Sequence, residues 1–92
     1  MKKSYKISPA IAWQSYDSID LLIMLNREKQ EFYFFQGSGR VIVDNILKGK
    51  EVEQIEEMFL QQYDEKNMLL YIKKFFLILQ QEDIVYECKE EF

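Results

Sequence analysis

The residues able to make or break bonds are few. The chain has 92 residues, with 16 Asp/Glu, 12 Lys/Arg, one cysteine and no histidine. Without an imidazole there is no His-based triad and no His-containing metal site. A lone thiol, Cys88, can close neither a zinc cluster nor an internal disulfide. Ser38 stands between Gly37 and Gly39, but this GSG lacks the Lys-Ser/Thr of a P-loop and the third glycine of a dinucleotide turn. As a nucleophile Ser38 would have only lysine as a base, so a helix N-cap is the simpler use of its hydroxyl. Glu51, Glu53, Glu56 and Glu57 crowd together, and a solvated helix face explains them better than a general acid and base. No catalytic centre, cofactor or metal is expected. Binding is the class of function left.

The residues best suited to binding lie at Gln30–Gly39, QEFYFFQGSG. Four aromatics stand in a row: Phe32, Tyr33, Phe34 and Phe35. In a strand they alternate, so Phe32 and Phe34 share one face and Tyr33 and Phe35 the other. Either pair could be core, and Phe32 and Phe34 could instead be covered by a helix or a partner subunit. If this strand lies at a sheet edge, its free N–H and C=O groups form a template for an added strand.

Three strands are expected to position that run: Ala10–Tyr16, Asp20–Asn26 and Gln30–Gln36, the last two joined as a hairpin through Arg27, Glu28 and Lys29. The central run Leu21–Leu25 is apolar on both faces, like the aromatic run, and such sheets are usually covered on both sides. After Gly39 the period changes. Val41, Ile42, Ile46 and Leu47 suit a helix capped by Ser38 and ended by Gly49. Val52, Ile55, Met58 and Phe59 mark a second helix, with Glu53, Glu56 and Glu57 on its wet side. Asp64 can cap a third, from about Glu65 to Gln81. Its stripe of Met68, Leu69, Tyr71, Ile72, Phe75, Phe76 and Leu79 is wider than one helix contact needs. Ile84–Tyr86 reads as a short extended segment and the last five residues, CKEEF, as a frayed tail. The class is α+β, winged-helix-like: a three-stranded antiparallel sheet followed by three helices. A groove between the aromatic strand and the third helix would account for both the aromatic run and the surplus width of the helix.

Composition agrees. With 48% hydrophobic residues the chain can bury one core, and it is too short for a second. Residues 1–50 carry eight Lys/Arg and five Asp/Glu, a net of +3, and residues 51–92 carry four and eleven, a net of −7. An acidic chain is a poor ligand for a phosphate backbone, so nucleic acid is not an expected partner. No signal-peptide apolar region follows the N-terminal lysines and no run is long enough for a membrane span, so a cytoplasmic protein is expected.

The pattern Tyr33-x-Phe35-Gln36-x-x-Gly39, then Ile42, Ile46, Leu47 and Gly49, then Val52 and Ile55, then Ile72, Phe75, Phe76, Leu79, Ile84 and Val85, resembles the PqqD-like RiPP recognition elements. These are leader-peptide-binding domains of ribosomally synthesised, post-translationally modified peptide pathways, lasso-peptide pathways among them. The resemblance spans about residues 7–86 of a single domain, 1–92. The chain departs from the family at Phe35-Gln36, where Leu-Asn is usual, at Asp83, where glycine is common, and at Glu51, where Ser or Thr often caps.

The resemblance implies that a leader peptide lies as an added strand beside the third strand, against the third helix. The backbone of Glu31, Phe32, Tyr33, Phe34 and Phe35 would pair with it, and side chains of Phe32, Phe34, Met68, Tyr71, Ile72 and Phe75 would contact it. Lys74 or its neighbour Lys73 would meet acidic leader residues, with Arg27 and Arg40 weaker candidates. A non-catalytic protein of this kind binds a precursor and presents it to a modifying enzyme or leader peptidase, which would dock elsewhere, on the acidic second helix for instance. Monomer and homodimer are both open. The alternatives are a winged-helix DNA-binding protein and a structural homo-oligomer built through the aromatic edge.

Overall fold

The computed structural model describes residues 3–62 and 65–89. Among these the chain runs β1 (Lys3–Ile7), β2 (Ile11–Tyr16), β3 (Leu21–Asn26), β4 (Glu31–Phe35), α1 (Gly37–Leu47), α2 (Val52–Gln62), α3 (Glu65–Gln81) and β5 (Val85–Lys89). A short 3-10 turn over Asp17–Ile19 separates β2 from β3. The fold is α+β, with the expected antiparallel sheet in the order β2-β3-β4 and the three expected helices. A second sheet was not expected: β1 pairs antiparallel with β5, Tyr5 opposite Glu87 and Ser4 opposite Cys88. Cys88 and Lys89 therefore belong to a strand, not to a frayed tail. Each strand is too short and mixed to announce itself alone, and only the partner supplies its hydrogen bonds.

Among the described residues, the β2-β3-β4 sheet is covered on one face only. Leu22 and Met24 of β3 are fully buried under the helices, while Leu21, Ile23 and Leu25 on the other face are half-buried. Phe34 sits opposite Ile23 and Phe32 opposite Leu25, so both phenylalanines share that uncovered face. The expectation of two covered faces fails because all three helices contribute to one core. That core joins Leu22 and Met24 to Ile42, Val43 and Ile46 of α1, Ile55 and Phe59 of α2, and Ile72, Phe76 and Leu79 of α3. Each such side chain, fully buried, contributes about 1.5–3 kcal/mol. Tyr5 closes the side next to α3 by stacking on Phe76, centroids 4.9 Å apart.

Caps fix the helix ends. Gln36, extended, is the N-cap of α1 and makes no side-chain capping bond; the carboxylate of Asp20 instead accepts the Gly37 N–H at 2.9 Å. Ser38 is thus inside the helix and not its cap, and its hydroxyl lies 3.0 Å from the Tyr71 hydroxyl. Gly49, at φ +83°, ends α1 as expected: its N–H reaches Ile46 O and that of Lys50 reaches Asn45 O, a Schellman motif. Asp83, at φ +58°, does the same for α3, with Asp83 N–H to Gln80 O and Ile84 N–H to Leu79 O. The expected Asp64 cap lies outside the described residues.

Neither arginine suggested for acidic leader residues is free. Arg27 donates to the carbonyls of Pro9 and Ala10. Arg40 is buried and contacts Asp17, Asp20, Asp44 and Ser15, joining α1 to the turn before β3. Asp17 in turn is held below the usual carboxylate range, first by its hydrogen bond from Arg40 and then by that from Ser15.

Candidate functional site

β4 has β3 on one side and, among the described residues, no strand on the other. An edge strand directs alternate N–H and C=O groups outward, so its main chain is open to another strand. The aromatic run is extended because Phe and Tyr favour the pleated surface, and Gly37, at φ +59°, ends it.

α3 is held alongside that edge at three levels. Near the Phe35 end, the rings of Phe35 and Phe75 meet edge to face at 6.0 Å, and Tyr71 tilts against Phe75 at 5.9 Å. Gly39 permits this: a Cβ there would lie 3.2 Å from the Phe75 ring. At the Glu31 end, the Tyr33 hydroxyl lies 2.7 Å from Glu31 and 3.1 Å from Glu82, at the close of α3. Beyond it, Lys29 pairs with Asp83 at 3.0 Å and reaches the Glu82 carbonyl. A phenol has one proton, so it can donate to only one of the two carboxylates at a time. Partial burial and those two carboxylates push the Tyr33 hydroxyl well above its ordinary value. Lys29 is raised by its bond to Asp83.

The structure brings together Tyr33, Phe35, Tyr71 and Phe75, with Glu31 beside them. Phe32 and Phe34 face the other way, 61% and 64% exposed on the open face of the sheet. Ile72 is fully buried in the core and does not reach the seam, which corrects its assignment as a contact residue. The cause is helical phase: at 100° per residue Ile72 points inward where Tyr71 points out. Met68 is half-buried against the same core. Lys73 and Lys74 are both exposed. Lys74 lies on the Tyr71 side of α3, and Lys73 is about half a turn round from Tyr71.

Sequence reasoning missed Ile78, which follows Tyr71 and Phe75 at helical spacing and is 55% exposed. That periodicity was open to reading. Glu82, Asp83 and Lys29 meet only through the packing of α3 on the β3–β4 hairpin, and no local signal marks them. The seam offers main-chain hydrogen bonds, aromatic surface and an acidic end. Among the described residues no group of three His, Cys, Asp or Glu is placed to hold a metal. No helix among them is long and apolar enough to cross a membrane.

No family model and no curated protein matches this sequence. Its fold matches that of TbiB1 in complex with the TbiA(beta) leader peptide, with a TM-score of 0.81 at 20% identity over 92% of this chain and 99% of that one. It also matches lasso peptide synthetase B1 complexed with the leader peptide, with a TM-score of 0.78 at 14% identity over 90% of this chain and 98% of that one.

Proposed function

We propose that this chain is a non-catalytic RiPP recognition element of the lasso-peptide type. It binds the leader of a ribosomal precursor peptide as a strand added along the free edge of β4, Glu31–Phe35, and presents it to a modifying enzyme or leader peptidase. The observation that carries this reading is the β4 edge, unpaired among the described residues, lying beside an exposed helix stripe, Tyr71, Lys74 and Ile78. The solved proteins of the same fold hold leader peptides, which supports it. The guest gains main-chain hydrogen bonds from β4. Its alternate side chains meet Tyr33, Phe35, Tyr71 and Phe75 on one face and Phe32 and Phe34 on the other. Lys74 faces acidic guest residues. Binding raises the local concentration of the precursor at the processing enzyme, and this chain moves no proton and breaks no bond.

The test is a titration with candidate leader peptides followed by amide NMR shifts. Saturable shifts at residues 31–35 and along α3 at 71, 74, 75 and 78 are expected, with Kd below about 10 μM, near −7 kcal/mol. Tyr71→Ala should weaken binding by about 1–3 kcal/mol, the usual cost of truncating an interface anchor. Tyr71 is partly exposed, so the variant should stay folded. Unchanged affinity, or shifts elsewhere, would remove the proposed edge.

A further inference from the structure

Half a turn around α3 from Tyr71, a cavity of about 500 Å³ opens between β1, α2 and α3. Tyr5 and Phe76, stacked on each other, form its floor, and Val52 and Leu77 contribute apolar walls. Leu77 is 54% exposed, and Leu70, two turns earlier on the same side of α3, is 53% exposed. Two exposed leucines in line beside an open hollow are more apolar surface than the helix needs for its own packing.

The two lips carry opposite charge. Glu53 and Glu56 stand on the α2 side and Lys73 on the α3 side. Among the described residues none of these three takes part in an ion pair. Apart from Tyr5, every residue that lines the hollow belongs to residues 51–92, which carry a net charge of −7.

We propose that this hollow is the docking groove for an amphipathic helix of a partner protein. That helix presents large aliphatic side chains to Tyr5, Phe76 and Leu77, and Lys or Arg along the flank that meets Glu53 and Glu56. A helix laid between two others packs its ridge into the groove they leave, which suits an apolar strip bounded by α2 and α3. The acidic lip sets the sign of the partner, and Lys73 opposite it sets which way round the helix lies. The groove shares no residue with the β4–α3 seam. It goes beyond guest binding and can be occupied at the same time.

The experiment uses two synthetic helical peptides with the same leucine face, one flanked by Lys and Arg, the other by Glu. Each is titrated into the labelled protein at low and high salt. The basic peptide alone should give saturable amide shifts at Tyr5, Val52, Glu53, Lys73 and Leu77, weakened by salt. The pair Glu53→Lys and Glu56→Lys should cut its affinity at least tenfold, about 1.4 kcal/mol, and turn the preference to the acidic peptide. Leu77→Asp, at an exposed position, should abolish the shifts while the fold is kept. Equal binding of both peptides, or no saturable shift with either, would overturn the proposal. So would concentration-dependent shifts of the free protein at these residues, which would assign the groove to a second copy. Because the two surfaces are separate, leader peptide shifts at residues 31–35 report independently on the seam.

Discussion

At the scale of single residues, Arg40 is the most consequential polar group. Its guanidinium is buried while Asp17 and Asp20 stay largely exposed, so the chain spends one desolvated cation to tie α1 to the turn before β3. Arg40→Ala should cost about 1–3 kcal/mol in urea unfolding. That is less than the about 3–5 kcal/mol of a stranded buried charge, because water can take over the carboxylates left behind. The acid side has a defined sign. The Asp17 carboxyl is lowered by Arg40, so its contribution is present above the ordinary carboxylate value, about 3.9, and is lost as pH falls through its lower folded value. The difference in Tm between the parent and Asp17→Asn should therefore be constant near neutrality and vanish in strong acid. A difference that grew on acidification would contradict the Arg40 pairing.

At the scale of elements, the close of α3 decides how the helix meets the hairpin. Asp83 holds a left-handed conformation, which Asp tolerates better than most residues but less well than Gly. Its carboxylate also pairs with Lys29 across to the β3–β4 hairpin, though at this exposure such a pair is worth only about 0–1 kcal/mol. Asp83→Gly should relieve backbone strain and lose the pair, for a net gain of about 0.5 kcal/mol, whereas Asp83→Ala should lose about 1 kcal/mol or more. Chemical denaturation of the two variants checks this. Equal losses would mean that Asp83 serves the ion pair and not the turn.

At the scale of the whole molecule, the uncovered sheet face separates binding from stability. Phe32 and Phe34 contribute little to the core, so the double variant Phe32→Ser and Phe34→Ser should shift unfolding by no more than about 0.5 kcal/mol per site. Ile72→Ala, on α3 and fully buried, should cost about 2–5 kcal/mol. Thermal unfolding of both distinguishes an interaction face from a second core. A large loss in the phenylalanine variant would mean that the face is covered in solution, as a homodimer would cover it.

Much of the architecture was legible from local pattern. The β3–β4 hairpin, a first helix ended by Gly49, and the apolar positions of α3 follow from alternation, helical period and glycine placement. Each of these is a short-range constraint written within a few neighbouring residues. The alternation of Phe32–Phe35 was legible too, but not which pair faces inward, because a strand period has no sign until helices cover one side. Ser38 read as a cap because Ser is a common one, and it lost that place to Asp20, a carboxylate far away in the chain. Ile72 read as a contact residue because it lies in the stripe, but the phase of α3 buried it. The pairing of β1 with β5 and the Arg40 cluster were invisible for the same reason: their partners lie far apart in the chain, and only the collapse of the core brings them together. Sequence alone determined that this protein lacks an imidazole-based centre and carries an aromatic strand. Tertiary packing decided that the strand lies at an open edge beside α3, since edge position depends on which strands find partners.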